Sequence, residues 1–144
     1  MFRNRNVLGA MMRAGGINWL AVLAAAVAVY VIGFIIYGMI VPEETITATM
    51  SEEQIATVEA RMPFGALMPL AIAAFLAVLL KWGGVTGAAR GAQWGLVVAL
   101  ASAVPTIGYG WVYGGLPSGS ALIDSGHLSL VHIAAGAIIG GWRR

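Results

Sequence analysis

Asp124, His127 and His132 are the residues of this chain whose types and spacing invite chemistry. They lie in an otherwise apolar, glycine-rich run, and ionisable groups in such a run mark ion or proton pathways, cofactor ligands or buried polar partners. Asp124 and His127 are three apart, so on a helix they form a polar pair on one face, near its outer end. His132 follows His127 by five residues, about 140° round a helix, so the two imidazoles cannot both address one small ligand. Three roles are open to His132. It can be a proton-relay group, an axial ligand to a haem or chlorophyll-type ring, or a neutral imidazole bonded to a carbonyl or hydroxyl of a neighbouring helix. Ser102 and Thr106 are available for the last of these. A ring held between histidines of two helices is excluded within one chain, because both histidines share one run. Asp124 most simply caps, or favours, the positive N-terminal end of its helix.

Little else in the sequence resembles reactive machinery. There is no cysteine, so thiolate metal sites and cysteine nucleophiles are excluded. No nucleophile–base arrangement, paired intramembrane carboxylates, metal-ligand spacing or cofactor motif occurs, and a non-enzymatic role is expected. Gly108-Tyr109-Gly110-Trp111-Val112-Tyr113-Gly114 has the wrong spacing for a nucleotide loop, and no strand precedes it. Gly110/Gly114, Gly136/Gly140 and Ala137/Gly141 are small residues four apart, a pattern that lets helices approach closely in lipid. They are expected to pack helices together.

The elements that must hold these residues follow from composition. Of 144 residues 60% are hydrophobic and 10% charged, and mean hydropathy is +0.87, which suits hydrocarbon and not water. The net charge of +2 gives no reason to expect nucleic acid as a partner. A spanning helix needs about 20 apolar residues. Four runs qualify, at 17–41, 63–80, 92–113 and 121–142, giving a single all-α domain over 1–144, an integral membrane four-helix bundle. Pro69 falls in the first turns of its run, where it is tolerated, and Pro105 is expected to kink the third.

Charge sets the orientation. Arg3, Arg5, Arg13, Lys81, Arg90, Arg143 and Arg144 fall on one side of the four runs. Glu43, Glu44, Glu52, Glu53, Glu59 and Asp124 fall on the other, with Arg61. The positive-inside rule places both termini in the cytoplasm, and Trp19, Trp82, Trp94 and Trp142 gather at the same face as an interfacial belt. The localisation expected is the bacterial inner membrane.

Residues 1–16 form a basic interfacial segment, with Val7, Leu8, Met11 and Met12 on one helical face and Gly15-Gly16 as a stop. A signal peptide fits less well, because the apolar run that follows is too long and no clear cleavage site follows it. The outer loop, 42–62, is acidic, and Ser51-Glu52-Glu53-Gln54 fits a capping box opening a short helix to about Ala60. The stretches 18–33 and 93–108 agree at eight of sixteen positions, including a tryptophan near the start and a glycine at the end. Both begin on the cytoplasmic side, so two parallel-repeat helical hairpins related by a pseudo-two-fold axis are expected.

Asn18-Trp19-Leu20-Ala21-Val22, Tyr37-Gly38, Ser51-Glu52-Glu53 and the closing Gly136-Ala137-Ile138-Ile139-Gly140-Gly141-Trp142 carry a resemblance over roughly Ile17 to Trp142. The chain resembles domain-of-unknown-function family 1761, small four-span bacterial membrane proteins. It departs from that pattern where Met39-Ile40-Val41-Pro42 replaces an aromatic-rich turn after Tyr-Gly. The resemblance implies a four-span fold and carries no established activity, and no motif indicates a cofactor. The expected role is an accessory or scaffold subunit pressing against lipid and other integral membrane subunits of a larger, energy-transducing complex. A small proton or solute transporter using intramembrane His and Asp is the alternative.

Overall fold

The computed structural model describes residues 13–47 and 50–143. It opens on a two-stranded antiparallel hairpin, β1 (Arg13–Ala14) and β2 (Ile17–Asn18). Gly15 and Gly16 both take positive φ (62° and 72°), the left-handed conformation that a two-residue hairpin turn demands and glycine adopts without strain. Gly15-Gly16 is therefore a turn between strands and not a helix stop, and Arg13 and Ala14 are extended. The rest of the expected interfacial helix, 1–12, lies outside the described residues.

Among the described residues four helical stretches are long and apolar enough to cross a membrane: Trp19–Ile40, Glu52–Trp82, Ala88–Tyr113 and Ser118–Gly141. The first comprises α1 (Trp19–Ile35) and a π-helical turn, Ile36–Ile40. Asn18 caps it, its Oδ1 accepting from the amides of Leu20 and Ala21 at 3.2 and 3.4 Å. Pro42, which has no N–H to donate, follows its end. The acidic segment holds α2 (Glu43–Thr47) and α3 (Glu52–Arg61). Ser51 and Gln54 form a reciprocal capping box at the start of α3. This helix does not stop at Ala60. It continues through a 3₁₀ turn, Met62–Ala66, into α4 (Leu67–Trp82). The whole is 31 residues, about 46 Å long, so its first turns project beyond about 30 Å of hydrocarbon.

The third span begins earlier than its apolar run, at Ala88. It consists of α5 (Ala88–Val98), a π-helical segment Ala99–Ala103, and α6 (Val104–Tyr113). Pro105 thus sits just after a local widening of the helix, which accommodates the donor it lacks. The fourth span, α7 (Ser118–Gly141), is the hub. With α1 and α4 it forms the core, where Val22, Ala25, Val29, Ala73, Leu76, Leu80, Val131, Ala135 and Ile139 are buried together. The third span lies against α7, touches α4 slightly and barely meets α1. A pseudo-two-fold bundle would pair the first span with the fourth and the third with the second alike; these two interfaces are unequal.

Candidate functional site

Tyr37 stands in the π-helical turn that ends the first span, and its hydroxyl donates to Asp124 Oδ1 of α7 at 2.5 Å. The Tyr37 and His127 rings meet edge to face, with centroids 4.9 Å apart. One phenol therefore joins two residues that occupy one face of α7. His127 Nε2 is buried without a hydrogen-bond partner among the described residues, and the bare backbone of Gly33 in α1 leaves the space beside it. Asp124 lies six residues into α7, about 9 Å along its axis, so it is no cap, and no acidic residue occupies the first turn. It answers a hydroxyl of another helix instead.

His132 is apart from this cluster. It is buried, and its Nδ1 lies 2.7 Å from the Leu128 carbonyl of its own helix, so that nitrogen carries the proton. Its partner is therefore not a neighbouring span. Ser102 and Thr106 are exposed and bond the Val98 and Ser102 carbonyls of their own helix. The backbone of His132 is also occupied, for Gly95 of α5 packs directly on its carbonyl.

Behind His132 runs the tightest interface of the molecule. Gly91 lies against the Gly136 carbonyl and the Gly140 Cα, Gly95 against His132 and Ile133, and Gly140 against Gly87. A side chain at Gly91, Gly95, Gly136 or Gly140 would run into backbone. The Gly87 amide also donates to the Gly140 carbonyl at 2.8 Å, closing the seam at the basic end. Gly136 and Gly140 therefore do pack helices, while Gly141 makes only ordinary contact with Ala88. Gly110 and Gly114 do not form such a seam: a side chain at Gly114 would strike the Gly110 carbonyl of its own helix, because Gly114 ends α6.

The family model described as Protein of unknown function (DUF1761) matches residues 20–140. The chain belongs to that family. No curated protein and no solved structure matches it. The DUF1761 match takes in all four spans, the Tyr37–Asp124–His127 cluster and the glycine seam, and leaves the N-terminal hairpin outside.

Several features of this DUF1761 chain escape a reading of its apolar runs. Gly87, Gly91 and Gly95 are four apart, the same signal as Gly136/Gly140, but a third span begun at Ala92 leaves the first two in a loop. Tyr37 looks like one more apolar residue, although a tyrosine in such a run needs a partner for its hydroxyl. Cavities surround it. One of about 320 Å³ lies between the end of the first span, α2 and α3, and one of about 180 Å³ lies between Tyr37, α2 and the start of α7. A third, about 310 Å³, opens between α1, α4 and α7 beside His127. His132 lines none of these. A fourth, about 340 Å³, separates α6 from α7 beside Trp111 and Leu122.

Proposed function

We propose that this DUF1761 protein is a non-enzymatic accessory or scaffold subunit of a larger, energy-transducing complex in the bacterial inner membrane, with both termini cytoplasmic. The observation that carries the reading is the lopsided packing of the third span. It is fastened to α7 along a single glycine seam, and only 11% of its most apolar window is buried within the chain. Val97, Leu100, Tyr109, Trp111, Val112 and Tyr113 remain more than half exposed. A helix held on one side leaves the rest of its circumference for lipid or for helices of a partner. A photo-crosslinking amino acid at Val97 tests this in native membranes. Adducts to other integral membrane proteins are expected, together with their co-purification in mild detergent. A lone monodisperse monomer with no adduct overturns the proposal.

The orientation rests on charge. Trp82, Arg90 and Trp142 lie at the end of the bundle opposite to Glu43, Glu52 and Glu59, and the positive-inside rule assigns the first end to the cytoplasm. Reporters active in one compartment, fused in turn to each terminus, should both read inside.

A second reading, a small proton- or solute-conducting protein, draws on the convergence of Tyr37, Asp124 and His127 from two spans. It predicts that Asp124→Asn abolishes an ion- or pH-dependent flux in liposomes while helix content is retained. An Asp124→Asn protein that conducts like the parent removes it.

A further inference from the structure

We infer that the acidic end of the bundle holds a binding site for an organic ammonium ion with an apolar body, seated above Tyr37 and Asp124. This goes beyond the accessory-subunit reading and does not depend on it.

Two adjoining cavities build the site. Tyr37, Val41, Ile46 and Met50 line both of them and form the wall they share. The outer one, about 320 Å³, is roofed by Ile55, Val58 and Met62 of the α3 helix and its continuation, with Glu43 and Glu59 at its rim. The inner one, about 180 Å³, ends on Asp124, flanked by Thr45 and Ser120. The walls are thus mostly aliphatic, and every ionisable lining residue besides Tyr37 is a carboxylate. Among the described residues no Lys or Arg lines either cavity; Arg61, the one basic residue on this side in sequence, is exposed and outside both linings.

Charge and shape select the ligand class. Asp124 is half-buried near the outer end of α7, and its hydrogen-bond donor among the described residues is neutral Tyr37. A carboxylate so placed, with only a neutral donor beside it, is stabilised by a cation that enters the adjoining cavity. A bare metal ion fits poorly, because among the described residues no three His, Asp or Glu side chains gather closely enough to hold one. An ammonium ion with apolar substituents fits both parts. Its charge meets Asp124 and the electron-rich Tyr37 ring, and its substituents cover Val41, Ile46 and Met50. Tyr37 is held for this task by its hydrogen bond to Asp124 and its ring contact with His127.

Equilibrium dialysis of the full chain in detergent against labelled benzyltrimethylammonium tests the inference. Saturable binding to one site is expected, with neopentylbenzene, which has the same shape and no charge, failing to compete. Asp124→Asn should weaken binding about tenfold or more, with helix content checked by circular dichroism. Glu59→Gln, on an exposed rim residue, should weaken it about two- to threefold. Ile46→Trp, which puts a larger ring into the wall that both cavities share, should weaken it about tenfold or more. Non-saturable uptake, equal displacement by neopentylbenzene, or full affinity in a folded Asp124→Asn protein overturns the proposal. Should Asp124→Asn fail to fold, unchanged affinity in both Glu59→Gln and Ile46→Trp overturns it equally.

Discussion

The first and third spans share half their residues over sixteen positions, yet they meet different surroundings. Their opening tryptophans, Trp19 and Trp94, remain equivalent, 40% and 41% exposed at the same end of the bundle. The similarity fails further along. Gly33 faces the His127 imidazole, whereas its counterpart Gly108 has nothing within 4 Å and borders an open cleft. The first span is gripped by two helices and closes a polar cluster; the third is gripped by one, through bare backbone. A matching sequence thus gives matching interface anchors without matching neighbours. What a helix does is decided by the residues on the face opposite to it.

The sharpest way to break this contrast is to fill the seam. Gly91→Leu pushes a side chain into the Gly136 carbonyl, and a loss of about 3 kcal/mol or more is expected in detergent unfolding titrations. Stability equal to the parent would show that the third span is not fastened there. Next comes the polar cluster of the first span. Tyr37→Phe strips Asp124 of its hydroxyl donor and should cost about 1–3 kcal/mol, with Tyr37→Phe/Asp124→Asn less than additive. Strict additivity in that cycle would mean the two side chains are not coupled.

Smaller effects sharpen the comparison. Asn18→Ala removes the cap that opens the first span and should cost about 1 kcal/mol by the same titration. The third span opens on Gly87 without a side-chain cap, so Gly87→Asn has no equivalent cap to restore. His132→Leu gives up one hydrogen bond to a carbonyl of its own helix, and about 1 kcal/mol or less is expected. A pigment band that vanishes with this change would return His132 to the role of ring ligand. Gly108→Ala meets open space and should lie within about 1 kcal/mol of the parent, on the stabilising side.

Much of the fold was legible in the residues. Long uncharged runs are visible because spanning helices must satisfy their own backbone and face hydrocarbon. The ends were harder. Ala88-Ala89-Arg90-Gly91 reads as loop because small and charged residues carry no apolar period, yet it is helical because Gly91 and Gly95 let α5 lie on α7. In the same way, Glu52–Arg61 reads as a separate surface helix, and nothing at Met62-Pro63 announces that the chain turns once and continues into α4. Of the candidate site, Asp124 and His127 were visible as a pair. Their partner Tyr37 was not, since 87 residues separate it from Asp124.

By itself, the sequence determined four membrane-length helices, the segregation of acidic from basic ends, and a polar pair on the last helix. These follow from composition and local spacing, which are properties of one segment at a time. Only the tertiary structure decided that His132 bonds its own helix, that Gly87, Gly91 and Gly95 meet Gly136 and Gly140, and that Tyr37 closes on Asp124. Each of those depends on which face of one helix meets which face of another. In a bilayer most faces are equally apolar, so hydropathy cannot choose among them, and close packing and hydrogen bonds do.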